Sequence, residues 1–357
     1  MTYPQLLEDW WINHAFRQLS CESLLDREAQ LQRSIQELSD RFTTDRQWIA
    51  KDYFADEQSL CAYGLFFFPQ SFVRAGLILQ EILSKGWNPG VPLSILDLGS
   101  GAGAASFSVA SKLGADAPVT MTAIDHSHKA LTVLQDLAAD CSALWPDLQC
   151  SVETADMRRW IQKQNRKWDL ILASYSLNET EFSVESETEL LVNLLTDSGL
   201  VIVIEPALKS SSEKLEAWRD RIAVRQDLHI WAPCLHSLSC PLLSEGQYWC
   251  HEVRSWLPPD SLTFFNRRLH RQIHVLKFSF LVFGKAGPAP LQSPSFRLIS
   301  PVTRLKKSLL FTGCTSEGTK KDFRVMSTLT EDESKHARNW KRGDIVFLSS
   351  LKHEGLS

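Results

Sequence analysis

No segment of this sequence reads as an address or an anchor. The first eleven residues, Met1 to Trp11, are acidic and aromatic, with no basic start followed by an apolar stretch. They also lack the Arg- and Ser-rich, acid-poor bias of an organellar transit peptide. No apolar run approaches the roughly 18 residues that cross a bilayer, because "YGLFFFPQSF" is interrupted by Pro69 and Gln70. Internal repeats and low-complexity tracts are missing as well. These absences predict a cytoplasmic, reducing location with no membrane partner. Disulfides do not persist there, and clustered cysteines read as metal-binding or catalytic. What is present is ordinary globular material: 357 residues, 44% hydrophobic and 22% charged, enough for one large domain with additions or for two.

Acidic residues are scarce in one place. From Phe264 to Arg324 there are twelve Lys and Arg against Glu317 and Asp322, so this stretch carries +10 in a chain whose net charge is −4. Segregated charge of this size suits a polyanionic partner, although a solvated basic surface has the same composition.

Residues 1–60 read as helical, with Leu24, Leu31, Ile35 and Leu38 at helical spacings, and a second helix is expected after Pro69 through "FVRAGLILQEIL". Gly86, Asn88, Pro89, Gly90 and Pro92 then form a cluster of breakers. Beyond them strands and helices alternate. Strands are expected at 93–98, 119–124, 150–155, 168–174, 199–205, 228–232 and 277–283, with helices through 127–140, 186–196 and "EKLEAWRDRIAV" between them. That alternation predicts an α/β fold with a parallel, doubly wound sheet.

The segment "LDLGSGAG" (96–103) follows the first strand and opens the first helix, placing Asp97 ahead of Gly99, Gly101 and Gly103. Without β-carbons, such positions turn tightly and let backbone amides approach a ligand. D-x-G-x-G-x-G is the spacing of S-adenosylmethionine (SAM) methyltransferases; packing glycines and a dinucleotide site are the competing readings. Asp125 closes the second strand, suited to accept from both ribose hydroxyls, and Asp156 follows the third, where an adenine amino group needs an acceptor. Catalytic residues are not identified. The turn after the fourth strand, "SYSLNE" (174–179), has neither the Pro-Pro pair common in amino-group methylation nor a cysteine to attack a pyrimidine; Tyr175 and Asn178 could touch a base, and a solvated turn explains them as well.

Cys234, Cys240 and Cys250 crowd into seventeen residues, beside His251, and Cys314 lies in the C-terminal part. Their spacing is not that of a zinc ribbon and does not by itself favour iron–sulfur over zinc. Cys21, Cys61, Cys141 and Cys150 fall in helix or strand patterns and read as small buried hydrophobes.

Taken together, "LDLGSGAGAASFSVA", "SYSLNE", "LVIVIEPAL", "APCLHSLSCPL" with "YWCHEV", "LKFSFLVF" and "GCTSEG" resemble the methyltransferase-like assembly factors of the small ribosomal subunit, found in mitochondria with bacterial relatives, over roughly residues 60–345. The resemblance implies a class I SAM-methyltransferase-like fold in three parts. These are an N-terminal helical region (1–90), the methyltransferase-like domain (91–285) with a Cys-rich metal-binding insertion at 233–276, and a small, basic, β-rich extension (286–357). It implies a [4Fe–4S] cluster on Cys234, Cys240, Cys250 and Cys314, with zinc as the alternative metal, and small-subunit rRNA, not DNA, as the partner. The function it implies is a SAM-binding factor in ribosome assembly or translation; an active rRNA methyltransferase is the alternative.

Overall fold

A computed structural model describes residues 2–43, 54, 56–114, 117–177, 184–269, 273–291, 293–306, 308–326 and 339–347. The chain divides into two compact units, residues 1–204 with 255–276, and residues 205–254 with 277–357.

The first unit begins with helices α1 (Gln5–Leu19), α2 (Glu28–Thr43) and α3 (Glu57–Ser84). β1 (Leu93–Leu98), α4 (Ala104–Leu113), β2 (Val119–Asp125), α5 (His128–Asp140), β3 (Leu148–Thr154), α6 (Met157–Ile161), β4 (Trp168–Ser174), α7 (Val184–Asn193) and β5 (Leu195–Pro206) follow in strict alternation. β1 pairs in parallel with both β2 and β4, β2 with β3, and β4 with β5, which gives the order 3-2-1-4-5. The central strands are largely apolar and buried because helices cover both faces. The direction of winding reverses between β1 and β4, and in such sheets a crevice opens there, outside the strands' C-terminal ends.

Two elements differ from the sequence expectation. Pro69 does not start a helix; it lies inside α3, which runs unbroken for 28 residues. A mid-helix proline costs about 3 kcal/mol, and burial on nearly every turn of α3 offsets it, with Gln70 Nε2 donating to the Phe66 carbonyl at 2.8 Å. The same helix meets the length and apolarity of a membrane span, but 72% of its most apolar window is buried inside the protein. It packs as a core helix: a β-carbon on Gly64 would stand 1.9 Å from the Trp11 ring, so only glycine admits that indole. The expected helix 186–196 ends at Asn193 and the strand expected from residue 199 begins at Leu195, because Leu195 is fully buried and pairs with Trp168.

The second unit contains α8 (Lys209–Ala223), β6 (His229–Ala232), α9 (Pro241–Glu245) and β7 (Glu252–Ser255). After α10 (Asp260–Leu269), which belongs to the first unit, it resumes with β8 (Val275–Gly284). β8 runs antiparallel to β6 and also pairs with β7. These strands therefore depart from the parallel arrangement that the alternation predicts. A second, antiparallel sheet follows: β9 (Ser295–Leu298), β10 (Thr303–Arg304), β11 (Ser308–Thr315), β12 (Lys320–Met326) and β13 (Ile345–Phe347), with β11 at its centre between β10, β12 and β9. Its core is a stack of Phe296, Phe311 and Phe323, with ring centroids 4.4 to 5.5 Å apart.

Candidate functional site

The C-terminal end of β1 delivers Asp97 and then the glycine turn. Gly99, Gly101 and Gly103 all have positive φ, at 69°, 52° and 83°. They do different work. A β-carbon on Gly99 would stand 2.3 Å from Ser176 Cβ, so this glycine lets β1 and the end of β4 touch. At Gly101 the nearest atoms to such a carbon are Phe54 Cε2 at 3.6 Å and the Tyr63 hydroxyl at 3.8 Å. Space remains on that side of the loop, and a backbone amide there can be approached closely.

Asp97 is 1% exposed and neither carboxylate oxygen makes a hydrogen bond. Burial pushes its carboxyl up to about 7; the charge of Asp125 adds to this, while Ser106 pulls the other way without completing a bond. A buried acceptor with no donor is rare in native proteins. Asp125 closes β2 and is also buried, but it is occupied: its oxygens accept from the amides of Gly101 and Ser127, both at 2.8 Å. Its Oδ1 also lies 3.5 Å from His126 Nδ1. Asp156 is exposed and caps α6, accepting from the Arg159 amide at 2.9 Å, so only its other oxygen faces outward. Of the fourth-strand turn, Tyr175 is held at φ 63° and Ser176 donates to the Leu98 carbonyl at 2.7 Å. Asn178 lies outside the described residues.

Sequence reading did not place α3 at this crevice. Tyr63 stands beside Gly101, and Arg74 lies over the Tyr175 ring at 5.4 Å. No motif marks them; they come from a helix about twenty-five to forty residues upstream of the glycines.

A separate pocket lies in the second unit, and Cys234, Cys240, Cys250 and Cys314 all line it. Cys240 is buried beside Leu242 and Ile299, and Cys250 and Cys314 pack against the same group. α8 positions the cysteine segment. Arg219, nearly buried, donates from Nε to Cys234 Sγ at 3.2 Å and from a terminal nitrogen to the His236 carbonyl at 2.6 Å. Asp220 accepts from the Cys240 amide at 2.9 Å, and Glu216 from the Cys250 amide at 2.5 Å. Arg342 completes the frame by donating to the carbonyls of Trp249 and His251, at 2.6 and 3.1 Å. Burial pushes the Cys240 and Cys314 thiols up to about 12 and Cys250 well above the ordinary thiol range.

Among the described residues no three His, Cys, Asp or Glu side chains converge closely enough to hold a metal ion. The four thiols surround the cavity without meeting at ligand distance. The donor chemistry nonetheless suits a thiolate-bound metal centre: four sulfurs, a dry wall, and one cation already turned toward a sulfur. His251 and His236 both line this pocket, and His236 Nε2 lies 3.5 Å from Cys314 Sγ, with burial lowering that imidazole to about 4.

The basic stretch is less of a surface than its composition implies. Arg297 is 3% exposed and bound to Glu252, Lys320 pairs with Glu245, and Lys321 with Glu317. Lys277, Arg304, Lys306 and Arg324 are exposed.

Residues 57–346 match the family model of Rsm22, described as mitochondrial small ribosomal subunit Rsm22. The chain belongs to this family. Over 115 residues it is 30% identical to a tRNA1(Val) (adenine(37)-N6)-methyltransferase of Citrobacter koseri, covering 30% of this chain and 45% of that protein. The match thus spans less than half of that curated relative. Similar solved structures include an rRNA methylase from Streptococcus thermophilus, 11% identical with a TM-score of 0.33, covering 59% of this chain and 96% of the other. TrmN from Thermus thermophilus is 18% identical with a TM-score of 0.33, covering 61% of this chain and 52% of the other. The 3-2-1-4-5 sheet with the glycine turn at its switch point is a class I SAM-methyltransferase-like arrangement.

Proposed function

We propose that the protein is a SAM-binding factor that associates with small-subunit rRNA and assists assembly of the subunit or its translation, with a [4Fe–4S] cluster bracing its second unit. The observation that carries the SAM reading is the buried, unpartnered Asp97 beside an open Gly101. Asp97, Gly99, Gly101, Gly103, Asp125 and Asp156 would hold SAM, which when bound supplies an electrophilic methyl group. Retained methyl transfer is less well supported, since the turn at Ser174–Leu177 presents no group placed to orient an amine or activate a base. The family favours mitochondrial or cytoplasmic ribosomes as the setting.

Replacing Gly101 by Val tests the pocket. Its β-carbon enters the open side of the loop, so the fold should survive with a strain of about 1–2 kcal/mol from the left-handed backbone. Calorimetric SAM binding should vanish. Binding equal to the wild type would remove the pocket from this loop.

Cys234, Cys240, Cys250 and Cys314 would ligate the cluster, their deprotonation being driven by the metal. Anaerobically purified protein should carry about four irons and a broad absorption of thiolate-to-iron charge transfer. Cys250→Ser should lose both, and Cys141→Ser should keep both, since Cys141 is buried in the first unit. Colourless protein holding one zinc would assign the site to that metal instead.

A further inference from the structure

Asp97 is not the only group in its wall that lacks a partner. On α3, Arg74 donates from one terminal nitrogen to Gln70 Oε1 at 3.1 Å, but its Nε is buried and makes no hydrogen bond. Its guanidinium lies 5.4 Å over the ring of Tyr175. The next residue, Ser176, ties the end of β4 to Leu98, the residue after Asp97, through its 2.7 Å bond to that carbonyl. Arg74 is thus anchored over the strand end that touches the strand end carrying Asp97. From the other side, the Tyr63 hydroxyl lies 3.8 Å from the site of a β-carbon on Gly101. Burial raises the Tyr63 phenol above its ordinary range; the charges of Asp97 and Asp125 add to this and that of Arg74 opposes it, so all three act on the hydroxyl.

One wall therefore offers an acceptor-only carboxylate, a donor-only guanidinium with a free N–H, and a phenol that stays protonated. Each of the first two is an unmet buried polar group. A single ligand that carries both an ammonium and a carboxylate, as the α-amino-acid end of a molecule does, meets both needs. We propose that Arg74, assisted by Tyr63, binds the carboxylate of the methionine end of SAM while Asp97 receives its ammonium, so that α3 supplies half of the pocket's selectivity. This rests on the SAM reading above.

Three ligands separate the possibilities in equilibrium dialysis. S-adenosylhomocysteine keeps both ends of the amino acid, decarboxylated SAM lacks the carboxylate, and 5′-methylthioadenosine lacks the whole amino-acid end. Arg74→Gln should weaken S-adenosylhomocysteine by about 10- to 100-fold, the range for a charge-assisted hydrogen bond. Methylthioadenosine and decarboxylated SAM should bind the variant and the wild type alike, and Arg74→Lys should recover part of the loss. An unchanged affinity for S-adenosylhomocysteine in Arg74→Gln overturns the assignment. Equal weakening of all three ligands also overturns it, because Arg74 would then merely support the fold. Wild-type protein that binds none of the three removes the SAM pocket itself, and with it this role.

Discussion

Asp97→Asn is expected to make the ligand-free protein more stable at pH 8 while abolishing SAM binding. Asp97 is 1% exposed, lacks a hydrogen-bond partner, and has its carboxyl raised to about 7 in the folded state. The unfolded chain releases that proton near pH 4, so between about pH 4 and 7 the folded protein holds a proton that the unfolded chain has lost. Stability must then fall as pH rises through this window and level off above it. A rise of that size corresponds to about 4 kcal/mol as an upper figure. The asparagine amide, itself short of a partner, returns about 1–3 kcal/mol of that. A net gain of at most about 1–3 kcal/mol at pH 8 remains, shrinking to nothing or reversing at pH 5. Urea midpoints of both proteins at the two pH values measure it. A wild type as stable as the variant at pH 8 would mean that Asp97 has a partner in solution.

The second large effect concerns Arg297. Its side chain is 3% exposed, and one terminal nitrogen donates at 2.8 Å both to Glu252 Oε1 and to the Gly343 carbonyl. Glu252 is equally buried and is also held by Arg254, at 2.6 Å. Arg297→Leu leaves a buried carboxylate with one cation where it had two. Stranding a partner of a buried pair costs about 3–5 kcal/mol, and the surviving Arg254 contact places this case at the lower end. Against a total stability of about 5–15 kcal/mol the loss should be plain in a denaturation midpoint. The double change Arg297→Leu with Glu252→Leu should recover most of it, because no buried charge is then left over. A double variant no better than the single would show that Arg297 acts through packing.

How much of this was legible depends on whether the residues are near in sequence. The β1 turn was readable because one short segment contains Asp97 and all three glycines, and the strand-helix alternation around it is a local pattern. The cysteines were readable as a group, but not their surroundings: Arg219 reaches Cys234 across fifteen residues, and His236 meets Cys314 across seventy-eight. Tyr63 and Arg74 had no visible signal, since a tyrosine and an arginine in an apolar helix look ordinary until α3 packs beside α4. Charge counting misled for the same reason. Arg297 adds to the +10 of the basic stretch, yet it is buried against an acid forty-five residues earlier, which no window of composition includes. Helix boundaries at Pro69 and Asn193 were set by burial, which overrides local propensity.

The frame around Cys250 also fixes an order of events during synthesis. The carbonyls on either side of that cysteine receive their donors from Arg342, ninety-one and ninety-three residues further along, and Glu252 waits for Arg297 and then for the turn at Gly343. At about 5–20 residues per second, this segment spends several seconds outside the tunnel before its closing residue emerges. Throughout that interval the thiol-bearing loop is chemically exposed, and a nascent chain cut short before residue 342 leaves it open for good.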